Sequence, residues 1–329
     1  MFPSSLPTVL SKESLALRAR WARKRFKSFS REMQPPPAKA DPAVNVLYGA
    51  AQPILGARIL LKDPELLREG LVPAVWLAAF CAVCALVSPA DGPIWAGRFK
   101  TFYRTFAVLA PVPSIVFAKH YARMAALVRW KLGFGACGPR EYPLFTSLRR
   151  AIQQAIVIAI GLLPLAAIWH FIPFFGKIIS QVVVGAWTVH WVVVDAFDDA
   201  RVLLPGETVK SAEATDQRAR SPWFVRMFLR AADHIPVRPV AGALRKFARF
   251  CDRLSLPWRG EFALMEGHPT ISTGFAFMTA TLLAVPVMNL LFRPIILVAS
   301  SHLLGHLEAE DPASQHPDAT MPQRMFPAR

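Results

Sequence analysis

The stretch VPVMNLLFRP (285–294) decides the fold, because it interrupts the longest apolar block of the chain, Ile271 to Leu304. Pro286 and Pro294 each remove a backbone donor and crowd the preceding turn. Asn289 and Arg293 stand between them, and a charged residue at the centre of a bilayer costs roughly 2.5–3.5 kcal/mol on insertion scales. The block therefore predicts two short helices that meet at a turn, rather than one straight span.

The lengths of the two arms predict a helix pair that penetrates a bilayer only partly. Each arm of about 15 residues would reach ~22 Å at 1.5 Å per residue, which is short of the ~30 Å hydrocarbon core. Such a wedge enters and returns on one side, and its irregular tip must be buried in protein or line a wet cavity. We expect Asn289 to cap the turn, and Arg293 to pair with an acid such as Asp198 or to reach the interface.

The other apolar blocks differ in length. Leu71–Val87 is at the lower limit for a span of about 20 residues. Thr105–Ala118 contains two prolines and is too short to cross, so it could lie in the interface, enter partway and return, or join longer flanking helices. Ala151–Ile172 and Ile178–Val194 are each about the length of a span, and they predict a helical hairpin with its turn at Pro173 and Gly176.

The composition agrees with a membrane protein. The 329 residues are 53% hydrophobic and 18% charged, whereas soluble domains carry roughly 45–50% apolar and about 25% charged residues. This apolar content excludes disorder throughout, and four cysteines exclude a disulfide-rich scaffold. We therefore predict an all-α integral membrane protein that combines spanning helices with partly penetrating, proline-broken helix pairs.

The net charge of +16 is distributed unevenly along the chain. Residues 12–31 form a basic arm, which is either a surface helix on an anionic leaflet or a disordered segment that marks the cytoplasmic side. Nucleic acid is not an expected partner, because no nucleic-acid-binding fold follows the arm. The segment 195–269 holds 12 Lys and Arg against 10 acids. Within it, GALRKFARFCDRL (242–254) predicts an amphipathic helix that lies on the membrane or on the protein's own loops, or else serves a dedicated partner.

No motif supports an enzyme, a cofactor or a metal. Cys81 and Cys84 lie in an apolar block without an acid or a histidine nearby, which favours inert thiols. His302 and His306 have a spacing that can bind a metal on a helix, but no third ligand follows from the pattern. The sequence contains no phosphate-binding loop of the Walker type, no G-x-S-x-G and no H-E-x-x-H.

Three segments of the chain resemble the CysZ sulfate-permease family, which includes the etoposide-induced membrane proteins. FIPFFGK (171–177) resembles the family's F-I-P-x-x-G turn, and the apolar arm after it ends at the acid Asp198. VPVMNLLFRP (285–294) is close to the family's I-P-x-x-N-L-x-x-x-P. LYGAAQPILGARILLKDPELLREGLVP (47–73) is similar to the family's N-terminal segment. Together these segments cover about half of the chain.

The resemblance implies an all-helical oligomer in a bacterial inner membrane that takes up sulfate. In the family a P-G-L-R-R-like stretch at the start of the first membrane helix holds the anion through backbone N–H groups and arginine. The equivalent residues here are Pro64-Glu65-Leu66-Leu67-Arg68. Arg68 matches the second arginine and Leu66 the leucine, whereas Leu67 replaces the first arginine and Glu65 replaces the glycine. Both replacements weaken an anion site.

We therefore expect a transport or channel protein for a small solute, such as sulfate or another inorganic anion. The alternative is a non-transporting scaffold or bilayer-shaping protein, and in either case lipid and a second copy of the chain are the expected partners. The expected organisation is a basic arm with a Pro-rich linker (1–43), a membrane domain (44–307) with a polar insertion (199–269), and a loose C-terminal tail (308–329).

Overall fold

The computed structural model describes residues 12–31, 40–88, 93–109, 115–135, 137–162, 164–165, 176–283 and 289–310. These residues are almost entirely helical, which confirms the all-α prediction. Two strands of two residues each, β1 (Gly138–Pro139) and β2 (Val202–Leu203), pair in antiparallel fashion. Residues 285–288 and 171–175, which contain Pro286 and Pro173 of the two predicted turns, lie outside the described part.

The N-terminal half begins with helices whose ends are set by Asp-Pro pairs. Asp41 precedes the second helix, and its side chain accepts a hydrogen bond from the Ala43 amide. Asp63 ends that helix and caps the next, and the proline after each aspartate occupies the first helical position, where no N–H is needed. These helices are α1 (Lys12–Phe29), α2 (Pro42–Lys62), α3 (Pro64–Val87), α4 (Ile94–Leu109) and α5 (Ala118–Lys131).

The C-terminal half carries two long helices on either side of a run of short ones. Its helices are α6 (Leu144–Ile160), α7 (Gly176–Asp199), α8 (Val209–Arg218), α9 (Trp223–His234), α10 (Arg238–Leu254), a 3-10 turn (Leu256–Trp258), α11 (Arg259–Gly267), α12 (Pro269–Leu283) and α13 (Asn289–Glu310). The short helices are not a separate layer, because Phe224, Cys251 and Phe262 belong to the same buried core as residues of α2 and α13.

Most of the predicted blocks are found as helices, with different ends. The basic arm is helical over α1, so the disordered alternative is wrong for Lys12–Phe29. Of the block Thr105–Ala118, Thr105–Leu109 belong to α4 and Ala118 begins α5, and residues 110–114 lie outside the described part. Within the predicted first arm of the hairpin, α6 ends at Ile160, where Gly161 follows as its cap, and residues 166–172 lie outside the described part.

The last apolar block forms two helices, α12 and α13, as predicted. The two helices have 15 and 22 residues, whereas the prediction was two arms of equal length. Pro294 lies inside α13 and does not end it, and the helix continues past residue 307 to Glu310. A proline in the second turn of a helix removes only one backbone bond close to the helix start, where several N–H groups lack partners already.

The core is built on α2, which packs along both α12 and α13. A Cβ added at Gly49 would overlap the carbonyl oxygen of Ile271, and one added at Gly274 would overlap that of Val46. The two backbones are therefore in direct contact, which is the type of packing that small residues permit between membrane helices. Gly56 makes a similar close approach to Ala299 of α13.

Three helices of the described chain are long and apolar enough to cross a membrane: α2, α3 and residues Ile178–Asp199 of α7. The most apolar stretches of α3 and α7 are each only 22% buried in the protein, whereas that of α2 is 50% buried. On α3 the exposed side chains include Trp76, Phe80 and Val83, and on α7 they include Val182 and Val184. Such large apolar surfaces mark contact with another protein or with lipid.

Candidate functional site

The C-terminal end of α7 carries three acids on one side of the helix. Asp195, Asp198 and Asp199 follow the apolar run that ends at Val194, and the spacing i, i+3 and i+4 places them on one face. Carboxylates at a helix C-terminus face the negative end of the helix dipole. The site therefore needs cations from neighbouring helices.

Arg293 of α13 supplies one of these cations. Its Nη2 lies 2.7 Å from Oδ2 of Asp199 and 3.5 Å from Oδ2 of Asp195, and the guanidinium lies over the ring of Tyr121, 5.4 Å from the centroid. The prediction that Arg293 pairs with an acid is confirmed. The acid is Asp199 with Asp195, whereas Asp198, which we named as the example, faces α6 instead.

Arg150 of α6 supplies the second cation. Its Nη2 lies 2.6 and 2.7 Å from the two carboxylate oxygens of Asp198, and Nε1 of Trp258 also donates to this carboxylate over 3.2 Å. The guanidinium lies 4.6 Å from the ring centroid of Tyr142 and 5.3 Å from that of Trp258. Cation–π contacts of this kind gain strength where water is excluded.

Arg201, just after α7, pairs with acids on three helices, of which α8 and α11 are new to the site. Its guanidinium lies 3.0 Å from Glu261 of α11, 2.9 Å from Glu308 of α13 and 3.6 Å from Asp216 of α8. The Glu261 side chain is fully buried, and burial raises the pKa of its carboxyl, an effect that Arg201 partly offsets. We call these ion pairs, together with those of Arg150 and Arg293 and the pairs Arg129–Glu308 and Arg140–Asp216, the charge cluster.

A polar cavity of about 80 Å³ lies within the charge cluster. Its charged lining is balanced, with Arg140, Arg150 and Arg201 facing Asp195, Asp198 and Asp199. Nε and Nη2 of Arg140 and the hydroxyl of Tyr142 are buried and have no hydrogen-bond partner among the described residues. Buried donors without partners indicate a bound water or a solute with acceptor oxygens.

The stretch that the family resemblance assigns to an anion lies elsewhere, at the start of α3. Leu66 is buried, Leu67 is half-buried and Arg68 is exposed. The amides of Glu65 and Leu66 donate to Oδ1 of Asp63 over 3.0 and 3.1 Å. Nζ of Lys131 lies 2.7 Å from Asp63 and 2.6 Å from Glu65. The Asp63 carboxylate thus accepts the hydrogen bonds that these N–H groups would otherwise donate to a bound anion. The role of Arg68 in anion binding stays a prediction.

The remaining predicted turn residues lie apart from the charge cluster or outside the described part. Gly176 is buried at the first position of α7. Asn289 begins α13, but its side chain is outside the described part, so its capping role also stays a prediction. His302 and His306 lie on α13 with their Nε2 atoms 3.2 Å apart, and Nδ1 of His302 is 2.8 Å from Oε1 of Gln52. Among the described residues, no group of three or more His, Cys, Asp and Glu could hold a metal.

Sequence reasoning missed most of the charge cluster, because its members are far apart in the chain. Comparison with protein-family models, with curated proteins and with solved structures gives no match. The family resemblance therefore rests on the quoted segments alone. The one local signal of the cluster is the acid triplet at 195, 198 and 199, which directly follows an apolar helix.

We predict that Asp63→Ala lowers the unfolding free energy by about 0.5–2 kcal/mol, because α3 loses its N-terminal cap. Asp63→Asn keeps a capping oxygen but loses the charge opposite Lys131, so it should cost less. Chemical denaturation in detergent micelles measures both, and equal losses would contradict the capping role.

The same residue predicts a pH dependence. The hydrogen bond from Lys131 holds the pKa of Asp63 below its ordinary value of 3.8. The stability that the Asp63 carboxylate contributes is therefore fully present above pH 3.8, and it is lost as the pH falls through the lowered pKa. Denaturation of the native protein and of Asp63→Asn should converge in this acid range, and a constant difference would contradict the assignment.

Proposed function

We propose that the chain is an integral membrane protein that passes a small polar solute through the polar cavity at the end of α7. The observation that carries the proposal is that a helix long and apolar enough to span a bilayer ends in a charge-lined cavity. Asp195, Asp198 and Asp199 fall within the candidate span Ile178–Asp199. Charged side chains inside a membrane segment are rare, and those that occur line a pathway or pair with one another.

The exposed side chains of α3 and α7 support the membrane location. α3 has 24 residues and would extend about 36 Å at 1.5 Å per residue, enough for the ~30 Å hydrocarbon core. Its exposed aromatic and aliphatic residues would lie against lipid. A bacterial inner membrane and a homo-oligomer are part of the proposal only through the family resemblance.

The chemistry of the cavity supports a solute with acceptor oxygens. Its unpartnered groups, on Arg140 and Tyr142, can each donate a hydrogen bond. A volume of about 80 Å³ accommodates a few waters or one small ion. Sulfate and other inorganic oxyanions, which the family resemblance suggests, are the first solutes to test.

A second candidate function is a scaffold that transports nothing. It is favoured by the ion pairs of the charge cluster, which join α5, α6, α7, α8, α11 and α13 into one unit. A packed set of ion pairs of this kind can fix a helical arrangement without any solute.

A flux assay in liposomes separates the two functions. We expect purified protein to take up labelled sulfate, phosphate or chloride above empty liposomes. Tyr142→Phe removes only the unpartnered hydroxyl, and it should reduce uptake about three- to tenfold, the worth of one hydrogen bond. Tyr103→Phe on α4 is the matched control and should leave uptake unchanged. Uptake no greater than that of empty liposomes for all three anions would overturn transport of inorganic anions and favour the scaffold.

A further inference from the structure

Helix α10 presents an exposed face that is strongly basic. Its exposed cations are Arg238, Arg245, Lys246, Arg249 and Arg253. Of these, Arg245 pairs with the exposed Asp233, and the other four form no ion pair within the described part of the chain. The single acid of α10, Asp252, is engaged by Arg259 at 2.7 Å. The face therefore carries a net positive charge that no acid of the described residues neutralises.

An apolar side chain lies beside these cations. Phe250 is 49% exposed. It stands four residues after Lys246 and three before Arg253, spacings that make side chains neighbours on a helix surface. We call Arg238, Lys246, Arg249, Arg253 and Phe250 the basic face of α10.

The opposite side of α10 is fixed by packing, so the basic face cannot turn inward. Ala241, Ala248 and Cys251 are buried. The ring of Phe247 meets that of Phe228 on α9 edge to face, with centroids 5.5 Å apart. The basic face therefore has a set orientation on the surface.

Besides α9, α10 contacts α6. At its start, α6 exposes Leu144, Phe145 and Leu148. Exposed cations on one helix and exposed apolar side chains on a helix that contacts it are the composition expected where the hydrocarbon core of a membrane meets its headgroups.

We propose that the basic face of α10 binds the anionic phospholipid headgroups of the bilayer that holds the protein. The guanidinium and ammonium groups would contact lipid phosphates, and Phe250 would enter the boundary between headgroups and acyl chains. Charge complementarity selects this occupant, since no acid of the described residues pairs with Arg238, Lys246, Arg249 or Arg253. The proposal does not depend on solute transport.

Amide hydrogen exchange of the full-length protein in nanodiscs tests the proposal. The two membranes compared are pure phosphatidylcholine and phosphatidylcholine with about 30 mol % phosphatidylglycerol. We expect amides of 238–254 to exchange about tenfold more slowly in the anionic membrane, and high salt to reduce the difference. The triple variant Lys246→Glu, Arg249→Glu, Arg253→Glu should abolish it.

The matched control has the same change of charge at exposed cations of the α8 region, Lys210→Glu, Arg218→Glu and Arg220→Glu. It should keep the slower exchange of α10. Equal exchange of α10 in the two membranes would overturn the proposal, and so would a control variant that loses the effect as fully as the α10 variant. An α10 that slows only when an acidic protein is added would point to a protein partner and would also overturn it.

Discussion

Arg201→Met is expected to lower the unfolding free energy by about 3–5 kcal/mol, the cost of leaving a buried charge without its partner. Arg201 is the one cation within hydrogen-bond distance of the fully buried Glu261 in the described part of the chain, and it also holds Glu308. Methionine keeps much of the side-chain volume but offers no positive charge. Urea denaturation in detergent micelles measures the loss.

Two further variants separate charge from packing at Arg201. Adding Glu261→Gln to Arg201→Met should recover part of the lost stability, because no buried carboxylate is then left unpaired. Arg201→Lys keeps the charge, but one ammonium group cannot reach Glu261, Glu308 and Asp216 at the same time. An intermediate loss of unfolding free energy is therefore expected. If the double variant were as unstable as the sum of its parts, Arg201 would act through packing alone.

The Arg201→Met defect should also depend on pH. Burial raises the pKa of Glu261, and without Arg201 the pKa should rise further. A raised carboxyl pKa gives stability that is present below the ordinary value of 4.5 and is lost as the pH rises through the folded-state value. The variant should therefore come closer to the native protein as the pH falls toward 4.5. A defect that is constant with pH would contradict the role of Glu261.

Gly274→Leu is the second change with a large expected effect. The Cβ of any other residue there would overlap the Val46 carbonyl, so α2 and α12 would have to move apart. Overpacking of a core costs typically 1–3 kcal/mol, and a contact between two backbones has no side chain that can yield. We therefore expect a loss of about 3 kcal/mol or more, or failure to fold, measured by thermal unfolding in detergent.

Smaller changes keep this prediction measurable if Gly274→Leu does not fold. Gly274→Ala and Gly49→Ala should each be clearly destabilising. Gly185→Ala in α7 is the control, because nothing lies within 4 Å of the added Cβ, and it should alter stability by no more than about 1 kcal/mol. Equal effects of the alanine variants at positions 49, 274 and 185 would mean that α2 and α12 do not touch as described.

The apolar block Leu71–Val87 predicted the C-terminal end of α3, whereas its start at Pro64, which the cap Asp63 sets, was not predicted. Helix α2 was missed as a block, since Asn45, Gln52 and Arg58 lower its mean hydropathy to 1.3. Half of its most apolar stretch is buried in the protein. Its apolar side chains are therefore needed for packing against α12 and α13 as much as for contact with lipid. Gly49 and Gly56 indicate α2 better than its hydropathy does, because small residues permit close packing between helices.

The charge cluster could be predicted only in part. A cation held between two prolines in an apolar block needs an acid, and for that reason the pairing of Arg293 was predictable. The choice of Asp199 over Asp198 depends on how α7 is rotated between α6 and α13, which no local pattern encodes. Arg129 and Glu308 are 179 residues apart, and only the tertiary fold brings them together.

The membrane depth of α3 and α7 decides both proposals, because both require these helices to cross a bilayer. Cysteines placed at Phe80 and Val184, with Cys84 and Cys137 replaced by alanine, carry nitroxide labels in lipid nanodiscs. We expect high collision rates with oxygen and low rates with a water-soluble nickel complex at both sites, and the reverse at an Ala214→Cys control on α8. Labels at positions 80 and 184 that are as accessible to the nickel complex as the control would contradict both proposals.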